Sequence, residues 1–156
     1  MADGGCALCT AGGYCPVGST AATPCGAGTY STGGAATCTK CDAGKFQDAE
    51  GSTECKPCEP GKYCLLGAAA ALPCPAGSYS PFTTLVTALW CTPCDAGSFC
   101  TPGSTAPKPC AAGTYTAVTG RPACDACPAG KFQNNTGATS CRDCTPGYYC
   151  AAGVHP

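Results

Sequence analysis

The sequence predicts a small disulfide-rich fold: an elongated array of short β-hairpin and loop modules stapled by sequential disulfides, with little or no helix. Three observations support this prediction. The 156 residues include 19 cysteines, large apolar side chains are scarce, and the pattern Cys-x-x-Gly-x-Tyr/Phe recurs nine times. A cysteine density of this order is typical of small secreted domains that are held together by disulfides.

Burial alone cannot hold this chain together. It contains 6 Leu, 4 Val, 4 Phe and no Ile; these make up about 9% of the residues, against the roughly 20% that marks a chain able to build a core. Disulfides can replace that core, since a link that closes about 14 residues contributes roughly 3 kcal/mol in the chain-entropy model. Because disulfides persist in oxidising compartments, we expect an extracellular protein, secreted or at the cell surface. The 9 acidic and 8 basic residues are scattered singly, so no basic patch favours nucleic-acid partners. No stretch approaches transmembrane length, so we expect no direct membrane insertion.

The cysteines fall into two classes that alternate strictly along the chain. Nine begin the Cys-x-x-Gly-x-aromatic pattern, and we name them openers; we name the other ten closers. The simplest interpretation joins each opener to the closer that follows it. The predicted disulfides are Cys9–Cys15, Cys25–Cys38, Cys41–Cys55, Cys58–Cys64, Cys74–Cys91, Cys94–Cys100, Cys110–Cys124, Cys127–Cys141 and Cys144–Cys150.

Cys6 is a closer with no opener before it. We expect its partner upstream of residue 1 or in a neighbouring chain. At the other end, the nine-residue spacing from Cys15, Cys64 or Cys100 to the next opener would place a cysteine just beyond Pro156, so both ends of the sequence read as cut from a longer array.

The main alternative connectivity links the first cysteine to the third, and the second to the fourth, within each C-x2-C-x5-C-x9-C block. This alternative leaves the pairs Cys38/Cys41 and Cys124/Cys127 without partners. Sequence alone proves neither scheme.

Internal repetition divides the chain into repeat units. The cysteines of 9–64, shifted by 85 or 86 residues, coincide with those of 94–150, and CDAGKFQDAEGSTEC matches CPAGKFQNNTGATSC. We predict the end of a truncated preceding module at 1–8 and the start of a truncated unit 4 at 144–156. Between them lie three cysteine-rich units, of which the second is shortened: 9–57, 58–93 and 94–143.

Each residue type of the opener pattern has an expected role. The glycine lets the chain turn with a positive φ directly after the cysteine. The aromatic ring is large and rigid, and can lie across the adjacent disulfide. Segments such as STGGAATC and AEGSTEC suit the return turn of a hairpin.

Metal binding and redox catalysis are the competing interpretations of the C-x-x-C pairs. Cys38, Cys41, Cys55 and Cys58 come near zinc-ribbon spacing, but cysteines at other spacings interleave and the chain has one histidine. Redox catalysis expects one C-x-x-C at a helix start rather than several in turns. His155 has no Ser, Cys or acid pattern around it that would make a catalytic set. We therefore expect no enzyme activity, no metal and no other cofactor.

Two apolar stretches interrupt the pattern in unit 2, LLGAAAAL at 65–72 and SPFTTLVTALW at 80–90. They could cover each other, or they could form a surface that contacts another chain. We favour the contact surface because the other modules do without such residues. The self-association candidates are Leu65, Leu66, Phe82, Leu85, Val86, Leu89 and Trp90.

Asn134-Asn135-Thr136 is an N-glycosylation sequon on a predicted loop tip. Asn134 is therefore the glycosylation candidate, and glycans are expected partners of the chain.

The stretch CGAGTYSTGGAATCTKCDAGKFQDAEGSTECKPCEPGKYC at 25–64 resembles the ephrin-receptor-like cysteine-rich repeat. The resemblance recurs over 110–150 and, shortened, over 74–100. The sequence is also similar to the simplest cysteine loops of tumour-necrosis-factor-receptor-like and growth-factor-receptor-like modules. The resemblance implies an elongated, disulfide-laddered module without enzyme activity, of the kind that forms long arrays in large extracellular algal and protist proteins such as mastigoneme-type proteins. It fixes no binding residues.

The expected function is structural. We expect a rod-like, glycosylated segment that assembles with copies of itself or related chains into a fibre, flagellar hair or surface coat. The alternative is the ectodomain of a cell-surface receptor or adhesion protein, acting as a stalk or ligand-binding array. A variant surface antigen and an intracellular zinc protein are the remaining contrasts, and measurements of metal content and free thiols separate the zinc protein from the others.

Overall fold

The computed structural model describes residues 9–147 together with Cys150 and Gly153. The predictions for Cys6, for the segment 1–8 and for much of the segment 144–156 fall outside the described residues. Within the described range the chain forms short strands, turns and one 3₁₀ turn at Ala88–Trp90. No helix in this range has the length and apolar character that a bilayer-spanning segment requires.

The described chain contains sixteen strands of two residues each. In chain order they are β1 Gly13–Tyr14, β2 Thr23–Pro24, β3 Thr29–Tyr30, β4 Thr39–Lys40, β5 Lys45–Phe46, β6 Lys56–Pro57, β7 Lys62–Tyr63, β8 Leu72–Pro73, β9 Ser78–Tyr79, β10 Thr92–Pro93, β11 Ser98–Phe99, β12 Lys108–Pro109, β13 Thr114–Tyr115, β14 Asp125–Ala126, β15 Lys131–Phe132 and β16 Arg142–Asp143.

Consecutive strands pair into eight two-stranded sheets, β1 with β2 and so on to β15 with β16. The pairing is antiparallel, as where Thr29 lies opposite Lys40 and Tyr30 opposite Thr39. The first strand of each pair ends on the aromatic residue of the opener pattern, and the second occupies the two residues before the next opener. The opener pattern therefore sets both strands of every hairpin, and the predicted small disulfide-rich fold of short hairpins is confirmed.

We call the stretch from one opener to the residue before the next a module. Modules 1 to 9 begin at Cys9, Cys25, Cys41, Cys58, Cys74, Cys94, Cys110, Cys127 and Cys144.

Each opener is followed by a tight turn centred on its glycine. In module 2 the amide of Thr29 donates to the carbonyl of Gly26 at 3.1 Å, and Gly28 between them has a φ of 82°. This geometry is that of a type II turn, whose third residue needs a φ near +80°. All nine opener glycines have positive φ, so the predicted role of the glycine is confirmed.

The interior of the modules consists largely of sulfur. Eight cysteines are no more than 1% exposed, and the one apolar residue other than cysteine among the described core residues is Leu85. The eight are Cys25, Cys41, Cys58, Cys64, Cys74, Cys94, Cys100 and Cys110. A chain so poor in large side chains thus uses its disulfides as its core.

Backbone hydrogen bonds tie each module to the next. The amide of an opener cysteine donates to the glycine carbonyl of the preceding module, as from Cys94 to Gly77 at 2.9 Å. The glycine's own amide donates into the next module, as from Gly77 to the carbonyl of Cys100 at 2.8 Å. A glycine in the loop of the next module donates back, as from Gly103 to Cys74 at 3.0 Å. We call this repeated set of bonds the backbone ladder.

By internal contacts the chain forms two compact units. The first comprises Met1–Glu59, Tyr63–Leu72 and Thr83–Thr87, and the second comprises Pro60–Lys62, Pro73–Phe82 and Ala88–Pro156. The ladder bonds from Cys94 to Gly77, from Gly77 to Cys100 and from Gly103 to Cys74 all lie within the second unit.

Candidate functional site

Nine disulfides join the described cysteines, and each links an opener to the closer that follows it. The pairs are Cys9–Cys15, Cys25–Cys38, Cys41–Cys55, Cys58–Cys64, Cys74–Cys91, Cys94–Cys100, Cys110–Cys124, Cys127–Cys141 and Cys144–Cys150. These are the nine pairs that the alternation of openers and closers predicts. Their Cα atoms lie 5.7–6.2 Å apart, within the range that a disulfide spans.

The C-x-x-C pairs between residues 38 and 144 do not present free thiols. Each pair between residues 38 and 144 is split between two disulfides, as where Cys38 is bonded to Cys25 and Cys41 to Cys55. A sulfur in a disulfide is not a thiolate, and the thiolate is the form that binds zinc or attacks a substrate. In the part of the chain that the structure describes, no group of three or more His, Cys, Asp or Glu side chains is placed to hold a metal ion.

The residue directly after each aromatic, which we call the post-aromatic residue, is a second structural determinant that the sequence reasoning missed. In modules whose disulfide closes a long loop this residue is polar yet buried. In modules with a short loop the closing cysteine itself takes the position. The buried polar members are Ser31, Gln47, Ser80, Thr116 and Gln133, and the buried cysteines at the same position are Cys64 and Cys100.

The two glutamines at the post-aromatic position hold their loops at both ends. The amide of Ala49 donates to Oε1 of Gln47 at 3.0 Å, and Nε2 of Gln47 donates to the carbonyl of Glu54 at 2.7 Å. Gln133 makes the same two bonds, from the amide of Asn135 at 2.9 Å and to a carbonyl next to its closer at 3.0 Å. The glutamine thus performs across a long loop what the cysteine performs across a short one, with hydrogen bonds in place of a covalent link.

The backbone groups of the post-aromatic residues also form hydrogen bonds of the backbone ladder. In module 7 the amide of Thr116 donates to Ala138 at 3.1 Å, while its carbonyl accepts from Gly97 at 2.9 Å. The hydroxyl of Thr116 lies 2.7 Å from the same Gly97 amide. One signal in the sequence could have identified this position, because Ser, Thr or Gln recurs immediately after the aromatic residue. A residue that only faces solvent does not need to be restricted to these types.

Opener glycines are also held close to the module after next. An added Cβ on Gly77 would overlap the carbonyl oxygen of Gly120 and lie 2.7 Å from its carbonyl carbon. The same approach recurs between Gly97 and Gly137, with a carbonyl carbon at 2.9 Å. Six opener glycines have such a neighbour two modules ahead, and in five of them the neighbour is itself a glycine. The spacing of the loop glycines therefore fixes how each module packs against the second one after it.

The aromatic rings of the described modules are half-buried. Their predicted position across the disulfides stays a prediction. One ring has a cationic neighbour: Nζ of Lys56 lies 5.9 Å from the ring centroid of Phe46, at the outer limit of a cation–π interaction.

Most of the apolar self-association candidates are exposed. Phe82 is 67% exposed, Leu89 92% and Trp90 62%, and Leu65 and Leu66 are also exposed. The idea that the two apolar stretches bury each other therefore fails for these side chains.

Leu85 and Val86 differ from the other candidates. Leu85 is 4% exposed, because it is a ladder residue: its carbonyl accepts from the amide of Cys64 at 2.9 Å, and it is bridged to Tyr63. Val86 is half-buried. The structure thus removes Leu85 from the candidate contact surface and leaves Phe82, Leu89 and Trp90 as the exposed apolar residues of the loop 80–90.

Some charged side chains of the described modules form exposed ion pairs. Nζ of Lys56 lies 2.7 Å from Oδ1 of Asp48, and this hydrogen bond lowers the pKa of the Asp48 carboxyl below its ordinary value. Arg121 contacts both carboxylate oxygens of Asp125 at 2.9 Å. These pairs lie on the outer surface of the modules. Because they are exposed, they contribute little to stability.

Residues 28–64 match the family described as "Tyrosine-protein kinase ephrin type A/B receptor-like". The matched segment runs from the turn glycine of module 2, through module 3, to the closing cysteine of module 4. A comparison with curated proteins finds no significant match to the chain.

Proposed function

We propose that this chain, whose residues 28–64 match the ephrin-receptor-like family, is a structural, non-enzymatic segment of an extracellular protein. The observation that carries the proposal is the backbone ladder. Eight opener amides donate to the preceding glycine carbonyl, so the same main-chain joint is repeated along the described modules.

Such a joint suits a load-bearing array better than a catalyst. Each module is closed covalently by its own disulfide and is bonded to its neighbour through main-chain groups. Repeat proteins of this kind are quasi-one-dimensional, because every repeat is stabilised by its neighbours. The density of disulfides supports a location in the oxidising exterior of the cell.

We further propose that the segment assembles with copies of itself or with related chains into a fibre, flagellar hair or surface coat. Head-to-tail contacts between identical chains give open filaments unless the rotation closes. Phe82, Leu89 and Trp90 support this step, because a loop in water gains nothing from presenting three large apolar side chains unless something covers them.

Two measurements test the assembly. Electron microscopy of the native material should show filaments or a coat, and short dispersed monomers would contradict the proposal. In sedimentation velocity of the purified, oxidised chain, Leu89→Ser and Trp90→Ser should reduce association. Val118→Ser is the matched control, since Val118 is 58% exposed but lies in another module. Equal effects of all three substitutions would show that the loop 80–90 has no special role.

A second candidate function is the ectodomain of a receptor or adhesion protein, and the family match itself favours it. In that case the modules act as a stalk or ligand-binding array. A membrane anchor encoded in the same gene, together with surface labelling of intact cells, would favour the ectodomain over the filament.

A further inference from the structure

The sequon Asn134-Asn135-Thr136 lies at an exposed loop tip of module 8. All three residues are exposed. The residue on either side of them forms hydrogen bonds of the backbone ladder. Before them, Gln133 is buried; after them, the amide of Gly137 donates to Cys110 at 2.8 Å. The tip is thus presented to solvent by a loop that is fixed on both sides.

The loop of module 3 is an internal replica of this one. Ala49 donates to Gln47 as Asn135 donates to Gln133. Gly51 and Gly137 have φ values of 67° and 71°. The residues at the module 3 tip, 48–50, are Asp-Ala-Glu, and their positions match 134–136. The same backbone therefore presents solvated charges in one module and an acceptor sequon in the other, which shows that this tip tolerates strongly hydrophilic groups.

We propose that Asn134 is an N-glycosylation site. In the transfer, Nδ2 of Asn134 forms a bond to C1 of the first sugar of a lipid-linked oligosaccharide. The bond from C1 to the pyrophosphate oxygen breaks, Nδ2 loses a proton, and the lipid pyrophosphate leaves. The sequon hydroxyl comes from Thr136. A glycan at this tip extends into solvent and leaves the ladder bonds of Gln133 and Gly137 intact. The proposal rests on passage through the secretory route, as the extracellular function requires.

The chain has two asparagines, and both lie in this loop, so the site can be assigned without ambiguity. The full chain is secreted from eukaryotic cells behind an added signal peptide and treated with peptide-N-glycosidase. The wild-type chain and Asn135→Gln, which keeps the sequon, should shift in mobility on treatment. Asn134→Gln and Thr136→Ala should show no shift. After reduction, the treated tryptic peptide 132–142 should carry an aspartate at position 134.

One further variant separates a failure of this proposal from a failure of the extracellular assignment. Asp48→Asn combined with Glu50→Thr transfers the sequon to the replica loop of module 3. A secreted chain that carries a glycan on that loop and none on Asn134 would overturn the proposal for Asn134 while leaving the secretory route intact. A wild-type chain without any enzyme-sensitive shift would overturn it as well, as would a shift that survives Asn134→Gln.

Discussion

Replacing an opener glycine with alanine should cost far more where a second module lies behind it than where none does. Gly77 and Gly130 provide a matched pair at the same position of the motif, with φ of 84° and 79°. An added Cβ on Gly77 would overlap the main chain of Gly120. An added Cβ on Gly130 would meet nothing within 4 Å among the described residues.

The magnitudes follow from these two environments. A non-glycine residue in the left-handed region costs roughly 1–2 kcal/mol, and both variants bear that cost. Overpacking adds about 1–3 kcal/mol for Gly77→Ala. If the loop of Gly120 moves away, the hydrogen bond from Gly120 to Cys94 at 2.7 Å is also lost, at about 1 kcal/mol. The Gly77 variant should therefore be less stable locally than the Gly130 variant by about 2–4 kcal/mol.

Native-state hydrogen exchange with the disulfides intact measures this difference, because it reports local opening without assuming that the array unfolds as one unit. The probes are the amides of Cys94 and Cys144, which donate to Gly77 and Gly130 respectively at 2.9 and 3.0 Å. Gly77→Ala should accelerate exchange at the amide of Cys94, and Gly130→Ala should accelerate it at the amide of Cys144. The first acceleration should be roughly 30- to 700-fold larger than the second, since 1.4 kcal/mol is a factor of ten. Equal acceleration in the two variants would refute the steric argument.

The remaining predictions concern the loops and the disulfides. Gln47→Ala should destabilise module 3 by about 2–3 kcal/mol in the same exchange experiment, because it removes two hydrogen bonds from a buried site; an effect below about 0.5 kcal/mol, the bottom of the range for a single bond, would show that the side chain does not hold the loop. The pKa of Asp48, followed by NMR, should lie below its ordinary value and rise in Lys56→Gln. Because a lowered carboxyl pKa contributes stability only above the unfolded pKa, the contribution should disappear as the pH falls through the folded pKa, and a titration unchanged in the variant would exclude the ion pair as its cause. A non-reducing peptide map should show no fragment that joins Cys55 to Cys64, and such a fragment would contradict the sequential connectivity.

Much of this fold follows from local signals in the sequence. A cysteine, a glycine three residues later and a ring two residues after that specify a turn and one strand, and the alternation of openers with closers specifies the pairs. The burial of Gln47 and Gln133 could not be predicted in the same way. Their depth results from packing between modules, and polarity alone places a glutamine on the surface.

In the loop 80–90, the burial of apolar residues could not be predicted from the sequence either. Leu85 and Leu89 lie four residues apart in one loop, and nothing in their chemistry separates them, yet one is 4% exposed and the other 92%. The difference arises because Leu85 takes the ladder position whose carbonyl accepts from Cys64. The position of a residue relative to the ladder, as well as its hydropathy, therefore decides which side chains such a chain buries.

Module 5 supplies a natural test of the glycine argument. Its loop has Thr84 where other modules have glycine, and the added Cβ on Gly44 would lie 3.0 Å from the Thr84 carbonyl oxygen and 3.4 Å from its carbonyl carbon. At these distances the neighbour must yield by only a few tenths of an ångström, so the overpacking cost should stay near the lower end of about 1–3 kcal/mol. With a φ of 86°, Gly44→Ala should therefore fall between Gly130→Ala and Gly77→Ala in the exchange experiment, read at the amide of Cys58, which donates to Gly44 at 2.9 Å. Equal damage in the Gly44, Gly77 and Gly130 variants would mean that φ, rather than the approach of a second module, makes these glycines indispensable.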